Sequence, residues 1–427
     1  MKMTSTLIII HLFFLQSVSA QVLNRCLTND LINSRAESDP SYLSKILDTQ
    51  DEIAQYATMQ GHRASDEVLR IPVVVHVLYN NETQNISDAQ VQSQIDRLNG
   101  DFRRLNADAN LTRDEFLPVA ADTKIEFFLT QWDPEGNPTN GITRTQTSQA
   151  SFWLSLTDMK SSSTSGKDAW DVNHFLNIWV CNMAIPFINL PLVLGFATPP
   201  EGAPNWPAGS VIENPAEDGV VVHYEVFGPN PSLTGTLAAV NQGRTATHEV
   251  GHYLGLRHIW GDGDCTQDDG LNDTPSASEA NQQTCDYSVN SCIDVTNELP
   301  DMLENYMDYS DENCMNAFTQ QQANAMRFVI ENFRFNLLLN TDEINSKNTD
   351  FAVSVYPNPA LDHIQLFSNS GSAKINEVEI IDMSGRMISN FSDYNMLKID
   401  VSNLSSGIYF LHIHTTKGAI VNKFIKQ

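Results

Sequence analysis

The pattern of apolar and polar residues divides the chain into alternating strands and helices, followed by a terminal region of strands alone. Short apolar runs predict strands at residues 71–79, 124–130, 175–183, 194–198 and 219–227. Apolar residues three and four apart predict helices from Ser87 to about Leu105, with Ser87 as N-cap, and from about Arg244 to Leu254. This order predicts an α/β fold in which a sheet is backed by helices.

The pattern changes twice beyond residue 258. From Asp262 to Glu312 there are fourteen acidic residues, no Lys or Arg and little periodicity, so regular structure should be scarce. A helix then runs from Thr319 to about Leu339, opened by a capping box of Thr319 and Gln322. After a polar linker at 341–350, apolar runs predict a small all-β sandwich over 351–427, with strands at 352–356, 363–367, 378–382, 397–401, 408–415 and 419–425.

The N-terminus is typical of an exported protein. Lys2, the apolar run 7–15 and the small residues 18–20 predict a signal peptide over residues 1–20, cleaved before Gln21. That run is too short to span a bilayer, and no later stretch reaches the ~18 residues needed, so we expect no integral membrane segment. The net charge of −27 argues against nucleic acid as a partner, because phosphate binding needs clustered Lys and Arg.

The chain has six cysteines, which fits an oxidising compartment. Four fall in or beside the acidic segment, where a weak apolar pattern suggests disulfides in any of three pairings; they are Cys265, Cys285, Cys292 and Cys314. Cys181 lies in an apolar run and is expected to be a buried free thiol. Cys26 stands alone after the predicted cleavage site.

The strongest chemical signal is the motif H-E-x-x-H-x-x-G-x-x-H, which starts at His248. On a helix His248 and His252 share one face, and Gly255 can turn the chain so that His258 becomes a third ligand. Three protein ligands leave one position of a zinc ion open, which is the mark of a catalytic site. Glu249 is placed to take a proton from zinc-bound water, so the residues predict a zinc hydrolase.

The extended motif resembles that of the metzincin metalloproteases. Residues 305–309, Asn-Tyr-Met-Asp-Tyr, resemble the methionine turn of that clan. In it Met307 would form an apolar floor under the metal, and Tyr309 would help to hold the oxyanion.

Further segments are similar to the pappalysin family in its bacterial branch, over roughly residues 24–339. They are Ile-Pro-Val-Val-Val-His-Val at 71–77, Asn-Ile-Trp-Val at 177–180 and Asp-Thr-Pro at 273–275. The resemblance implies a metzincin catalytic domain over 66–340, with a mixed five-stranded sheet and the zinc-motif helix. It also implies that peptide substrates bind by strand addition to the edge of this sheet.

The resemblance implies disulfides and a second metal. The disulfides would join Cys265 to Cys292 and Cys285 to Cys314. Structural calcium would lie near the segment after the third histidine, since oxygen ligands suit this hard cation. The candidate ligands are Asp269 and Thr274, with Asp273 as a weaker one; the alternative is that these acidic side chains are merely solvated.

Residues 21–65 would form a pro-segment of a latent zymogen. By resemblance, Cys26 would act as a fourth zinc ligand and exclude the catalytic water; the alternative is an incidental free thiol. Relatives favour a basic residue on the primed side of the cut. The position implicated in that preference is Asn313 here, with Asp311 and Glu312 adjacent.

The terminal β-domain resembles the sorting domain of the type IX secretion system. The matching segments are Val-Tyr-Pro-Asn-Pro-Ala at 355–360, Asp-Met-Ser-Gly-Arg at 382–386 and Ser-Gly-Ile-Tyr-Phe at 406–410. This implies export by the signal peptide, passage through the outer membrane by the type IX machinery and removal of the domain. The alternative is an ordinary carbohydrate- or protein-binding sandwich.

The sequence therefore predicts a secreted, calcium-supported zinc endopeptidase that acts on proteins or peptides. Two alternatives remain open. One is a zinc hydrolase of non-protein substrates, and the other is a secreted metal-containing binding protein or adhesin without turnover.

Overall fold

The structure is a computed structural model. It describes most of the chain apart from the predicted signal peptide and the predicted linker. The described residues are 24–59, 67–185, 190–191, 193–200, 215–294, 298–338, 353–368, 375–382, 386–392, 398–415 and 418–426. The predicted signal peptide, the boundary between residues 65 and 66 and the linker at 341–350 lie outside them.

Among the described residues before the linker there are five α-helices. They are α1 (Thr28–Ser38), α2 (Pro40–Thr58), α3 (Asp88–Phe102), α4 (Arg244–Tyr253) and α5 (Gln320–Asn332). Both predicted caps are confirmed: the Ser87 side chain accepts from Gln90 N, and Thr319 forms a capping box with Gln322. Each cap satisfies backbone N–H groups that have no partner inside the helix.

Helix α5 is shorter than its pattern predicts and ends at Asn332, before a short 3₁₀ helix at Phe335–Leu338. Arg334 explains where the helix stops. Its guanidinium pairs with Asp218 at 2.5 and 2.9 Å and lies 3.6 Å from the Tyr253 ring centroid. A tertiary ion pair has therefore overridden the local helical pattern.

The described part of the chain before the linker contains eleven strands. They are β1 (Asn24–Cys26), β2 (Leu69–Tyr79), β3 (Ala120–Ala121), β4 (Ile125–Leu129), β5 (Ile142–Gln146), β6 (Leu176–Cys181), β7 (Ala184–Ile185), β8 (Leu190–Pro191), β9 (Val193–Ala197), β10 (Val220–His223) and β11 (Phe318–Thr319). β10 ends four residues earlier than predicted, where a 3₁₀ turn begins at Tyr224.

The central sheet is mixed, as predicted, and has the order β1-β9-β10-β6-β2-β4, with β5 also paired to β2. β9 runs antiparallel to β10, and the other pairs are parallel. The sheet has seven strands rather than the expected five. One addition is β1 from the N-terminal segment; the other arises because β4 and β5 pair with successive halves of the same edge of β2.

The core lies between this sheet and helices α3 and α4. β2 is buried along nearly its whole length, which is typical of a strand covered on both faces. Val73 and Val75 belong to the same buried cluster as Ile95 of α3 and Val250 of α4. The packing fixes α4, which carries the zinc motif, against the sheet.

Residues 254–317 form an irregular segment, with no helix or β-strand longer than an isolated bridge among its described residues. It includes residues 262–312, where the composition predicts little regular structure. Disulfides join Cys265 to Cys292 and Cys285 to Cys314, with Cα atoms 5.6 and 5.8 Å apart. These are the pairs that the family resemblance implies. Loops of this length are stabilised by roughly 3–4 kcal/mol per crosslink, which offsets the sparse apolar packing.

The C-terminal part is a small β-sandwich, as predicted. Its strands are β12 (Val353–Tyr356), β13 (His363–Ser368), β14 (Ile375–Asp382), β15 (Met387–Ser392), β16 (Ile399–Asp400), β17 (Gly407–Thr415) and β18 (Gly418–Lys426). The sheet β12-β13-β16 and the sheet β15-β14-β17-β18 share a buried core that includes Ile364, Val378 and Leu411. β15 was not predicted; it is an edge strand without a clear apolar alternation.

Candidate active site

Helix α4 brings the first two histidines of the motif together. His248 and His252 lie one turn apart, and their Nε2 atoms are 3.0 Å from each other. The helix ends at Tyr253, and Gly255 turns the chain with φ +88°. A Cβ at Gly255 would lie 2.8 Å from Val329 Cγ2, so the turn requires glycine for both conformation and space.

That turn places His258 beside the other two. Its Nε2 is 3.3 Å from His248 Nε2 and 3.0 Å from His252 Nε2, and all three side chains are buried. Ligand atoms about 2.0–2.1 Å from a tetrahedral zinc ion lie roughly 3.3 Å apart, so the donor set fits one such ion.

Each histidine is oriented through its other ring nitrogen. The Nδ1 atoms of His248 and His252 donate to the carbonyl oxygens of Tyr306 at 2.7 Å and Leu256 at 2.8 Å. A carbonyl oxygen can only accept, so the hydrogen sits on Nδ1 and the Nε2 lone pairs face the common centre. Burial lowers the pKa of His248 well below its usual range and that of His252 to about 3, which keeps both rings neutral.

Glu249 lies fully buried beside this centre. Its Oε2 is 3.4 Å from Cys26 Sγ and from Thr28 Oγ1, and its Oε1 has no hydrogen-bond partner among the described residues. Burial raises its pKa to about 8, against the opposing hydrogen bonds from Cys26 and Thr28. Gly195 of β9 makes room for this carboxylate, since a Cβ there would lie 2.8 Å from Glu249 Cγ.

Cys26 is the fourth group at the same point. Its Sγ and one nitrogen of each of the three histidines lie within 4.8 Å of one another. Strand β1 holds it there by pairing parallel to β9, with Cys26 opposite Gly195. Burial, followed by the charge of Glu249, raises the pKa of the thiol. The structure therefore brings the predicted latency residue onto the predicted metal ligands.

Met307 and Tyr309 lie beneath and beside the histidines. Met307 is buried against α4, where a Cβ on Gly251 would come within 2.5 Å of Met307 Sδ. The Tyr309 ring packs against His258 and its hydroxyl donates to the carbonyl oxygen of Cys26 at 3.4 Å. Burial raises the pKa of Tyr309, so its hydroxyl keeps its proton and acts as a donor.

Sequence reasoning did not single out Arg25 and did not distinguish Glu312 from its neighbours. Arg25 is buried and its Nη2 lies 3.2 Å from Glu312 Oε1; it also donates to the carbonyl oxygen of Ser310. Asn313 is exposed and bonds to Gln242 Nε2 at 3.0 Å. The sequence did show a basic residue, Arg25, directly before Cys26, but its partner Glu312 could not be inferred because it lies 287 residues further along the chain.

Two carboxylates of the acidic segment have a buried oxygen without a hydrogen-bond partner among the described residues: that of Asp269, a buried residue, and that of Asp294, which is half-buried. Asp269 Oδ1 accepts from Thr274 Oγ1 at 2.8 Å, while Asp269 Oδ2 has no partner within the described chain. Burial raises its pKa to about 7. Both carboxylate oxygens of Asp273 accept hydrogen bonds at the start of α5, from Thr319 Oγ1 and Gln321 N. Both oxygens of Asp273 are thus used in hydrogen bonds, whereas only one oxygen of Asp269 is.

The other histidines that lie on strands have ordinary structural partners. His76 contacts Thr143 Oγ1 at 2.7 Å and Asn177 Oδ1 at 2.9 Å, and His223 Nδ1 accepts from Met183 N. Across the described residues, no helix combines the length and the apolar character needed to cross a membrane.

The fold and the site together define a metallopeptidase of the metzincin type: a mixed sheet over a helix with two histidines, a third histidine after a glycine turn and a methionine floor. A family model described as pregnancy-associated plasma protein-A, peptidase M43, matches residues 158–331. A second, described as a secretion system C-terminal sorting domain, matches residues 354–427.

Individual relatives agree. The extracellular metalloprotease of Arthroderma otae is 31% identical over 292 residues, which is 67% of this chain and 87% of that protein. Mature mirolysin of Tannerella forsythia, solved with a cleaved peptide, is 41% identical with a TM-score of 0.57, covering 66% of this chain and 100% of that one. A promirolysin mutant is 38% identical with a TM-score of 0.62, covering 75% and 99%.

The chain belongs to the pappalysin family of metallopeptidases. It is a secreted metalloendopeptidase with a C-terminal type IX sorting domain, as the sequence predicted.

Proposed function

We propose that this metalloprotease is a zinc endopeptidase in which His248, His252 and His258 bind the metal and Glu249 is the general base. The observation that carries the proposal is the convergence of three Nε2 atoms at 3.0–3.3 Å beside a buried carboxylate. When bound, zinc would supply a Lewis acid that polarises the scissile carbonyl and acidifies the attacking water.

Glu249 would transfer the proton, and Tyr309 would stabilise the negative charge that develops on the scissile carbonyl oxygen. Glu249 in its ionised form can take a proton from the attacking water and pass it to the leaving amine, and burial, which raises its pKa to about 8, makes it a stronger base than an exposed carboxylate. Tyr309 already donates to a main-chain carbonyl, that of Cys26, at the centre. In a substrate complex the same hydroxyl would donate to the scissile carbonyl oxygen as it becomes negative.

Peptides are the proposed substrates. The β9 edge that β1 occupies offers main-chain hydrogen bonds to an extended chain. Mature mirolysin holds a cleaved peptide, which favours the same substrate class here. This comparison, with the buried base, weighs against both a binding protein without turnover and a hydrolase of non-protein substrates.

The described form is proposed to be the latent zymogen. Thiolate is a strong zinc ligand, so Cys26 would fill the position that water needs. Its parallel pairing with β9 also covers the edge on which a substrate strand would add. Similarity to promirolysin supports a zymogen, and removal of residues 21–65 would uncover both the metal and the edge.

Arg25 suggests the substrate preference. Its guanidinium fills a buried site beside the metal centre, formed by Glu312, the Ser310 carbonyl and Met315 Sδ. Once the pro-segment leaves, Glu312 would be a buried carboxylate without its cation, which is costly unless another cation replaces it. We therefore propose a preference for Arg or Lys next to the cut, recognised by Glu312 rather than Asn313.

Calcium is proposed at Asp269 and Thr274. The support is the unpartnered, buried Asp269 Oδ2, since a buried carboxylate oxygen without a donor favours a cation. Asp273 remains the weaker candidate because its two oxygens cap α5.

Replacing Glu249 by Ala should lower hydrolysis of casein by the mature enzyme roughly 10²–10⁴-fold, because the general base is lost. Zinc content, measured by elemental analysis, should not change, because the three histidines remain. A zinc chelator should abolish wild-type activity, and added zinc should restore it. Undiminished activity of Glu249→Ala would contradict the proposed base.

Replacing Cys26 by Ala should make the full chain active before it is processed, because the fourth metal position becomes open. The measurement is peptidase activity and processing rate of freshly purified zymogen. Cys181→Ala is the matched control, since Cys181 is the other buried free cysteine and lies in β6 away from the metal ligands. Equal latency of both variants would refute the role of Cys26.

Replacing Glu312 by Gln should lower kcat/KM for peptides with Arg after the cut by roughly 10–100-fold, which corresponds to the loss of a charge-assisted hydrogen bond. Mass spectrometry of cleaved peptide libraries should show a weaker basic preference. Asn313→Ala is the control and should leave the profile unchanged. The assignment fails if only the Asn313 variant alters specificity.

Without calcium, the free energy of unfolding should fall as pH rises from about 4 to 7. In this range the unfolded chain loses the Asp269 proton, whereas the buried carboxyl keeps it until its pKa of about 7. Calcium should raise Tm above pH 7. Asp269→Asn should make the fall smaller and remove the calcium response, whereas Asp268→Asn, its exposed neighbour, should change neither. A calcium response retained by Asp269→Asn would exclude this site.

A further inference from the structure

The three histidines of the centre differ in what holds their outer ring nitrogen. His248 and His252 stand on α4 and donate from Nδ1 to neutral backbone carbonyls. His258 lies beyond the helix, and its Nδ1 is 2.6 Å from Asp262 Oδ1. The third histidine is therefore the one that has a charged partner and lacks the support of regular secondary structure.

The backbone of the loop after His258 turns so that the Asp262 carboxylate lies beside the His258 ring. Gly261 and Asp262 both have left-handed backbones, with φ +61° and +58°. Asp is one of the few residues with a side chain that tolerate this conformation. A Cβ at Gly261 would lie 2.5 Å from the Asp268 carbonyl oxygen, and Gly261 N donates to His258 O at 2.9 Å.

The ring of His258 is held on a second side by Trp260. The two rings stack with centroids 4.2 Å apart and planes 9° apart. Stacking fixes the plane of the imidazole but leaves its tautomer free. Only a hydrogen-bond acceptor at Nδ1 can ensure that the hydrogen stays there and that Nε2 presents its lone pair to the metal.

We propose that Asp262 is a positioning residue for the metal centre, which fixes the tautomer and orientation of His258 and increases its basicity as a ligand. The inference rests on the proposed zinc centre. A carboxylate in contact with a metal-binding histidine typically strengthens metal binding by 10–100-fold. In the latent form Asn29 of α1 lines the same cavity as Asp262 and His258, so this carboxylate lies between the pro-segment and the third histidine.

The test compares zinc binding by the full-length chain and four variants: Asp262→Ala, Asp262→Asn, Asp264→Ala and Asn29→Ala. Competition with a chromophoric chelator gives the zinc Kd, and the visible spectrum of the Co²⁺-loaded protein reports ligand geometry. Asp262→Ala should raise the Kd by roughly 10–100-fold and change the Co²⁺ spectrum. Asp262→Asn keeps the shape and one neutral acceptor, so its Kd should rise less.

The two controls should behave like the wild type. The Asp264 side chain is exposed and accepts only from Thr266 of its own turn among the described residues. Asn29→Ala removes only a pro-segment side chain that lines the cavity beside Asp262. Thermal unfolding in excess zinc checks that each variant folds. Should Asp262→Ala not fold, Asp262→Asn decides, because it conserves the loop geometry.

The inference is overturned if both Asp262 variants bind zinc as tightly as Asp264→Ala and give the wild-type Co²⁺ spectrum. It is also overturned if Asn29→Ala weakens binding equally, since the effect would then belong to the pro-segment. A failure of the wild-type chain to bind one zinc ion would instead contradict the proposed function.

Discussion

Three buried imidazole rings direct their Nε2 lone pairs towards one common point. The structure around the site depends on holding the three rings in this arrangement. Placing His248, His252 and His258 with their Nε2 atoms 3.0–3.3 Å apart is unfavourable unless all are neutral and each outer nitrogen has a partner. Burial lowers the pKa of the first two, and backbone carbonyls accept from them. The irregular segment supplies both of those carbonyls, that of Leu256 just after α4 and that of Tyr306, which is 58 residues from His248.

This requirement explains why a segment without helices or long strands is so thoroughly fixed. It carries the methionine floor, Tyr309 and the Tyr306 carbonyl, so any drift would displace the metal ligands. Two disulfides reduce the entropy of its unfolded state, and the half-buried carboxylate of Asp273 accepts hydrogen bonds at the start of α5. Some of the acidic side chains that could have been solvated loop residues therefore form hydrogen bonds that hold this segment in place.

The N-terminal segment uses the same features that a substrate would need. β1 pairs with the edge of β9 that would otherwise be free, Cys26 lies beside the three histidines, and Arg25 forms an ion pair with Glu312. The first contact pairs the edge of the sheet, the second would fill the fourth metal position, and the third neutralises the buried charge of Glu312. Under the proposed function, inhibition and substrate recognition would therefore depend on the same surface.

The sequence by itself determined the α/β order, the two helix caps, the β-sandwich and the residue types of the metal centre. These follow from local periodicity and from fixed spacing along one helix, which short-range geometry controls. It could not determine that α5 stops at Arg334, that β4 and β5 divide one edge, or that Glu312 rather than Asn313 faces Arg25. Those outcomes depend on partners more than a hundred residues away for Arg334 and Arg25, and on sheet register for β4 and β5. Only tertiary packing could decide them, because the energy of a buried charge depends on what surrounds it and not on its neighbours in sequence.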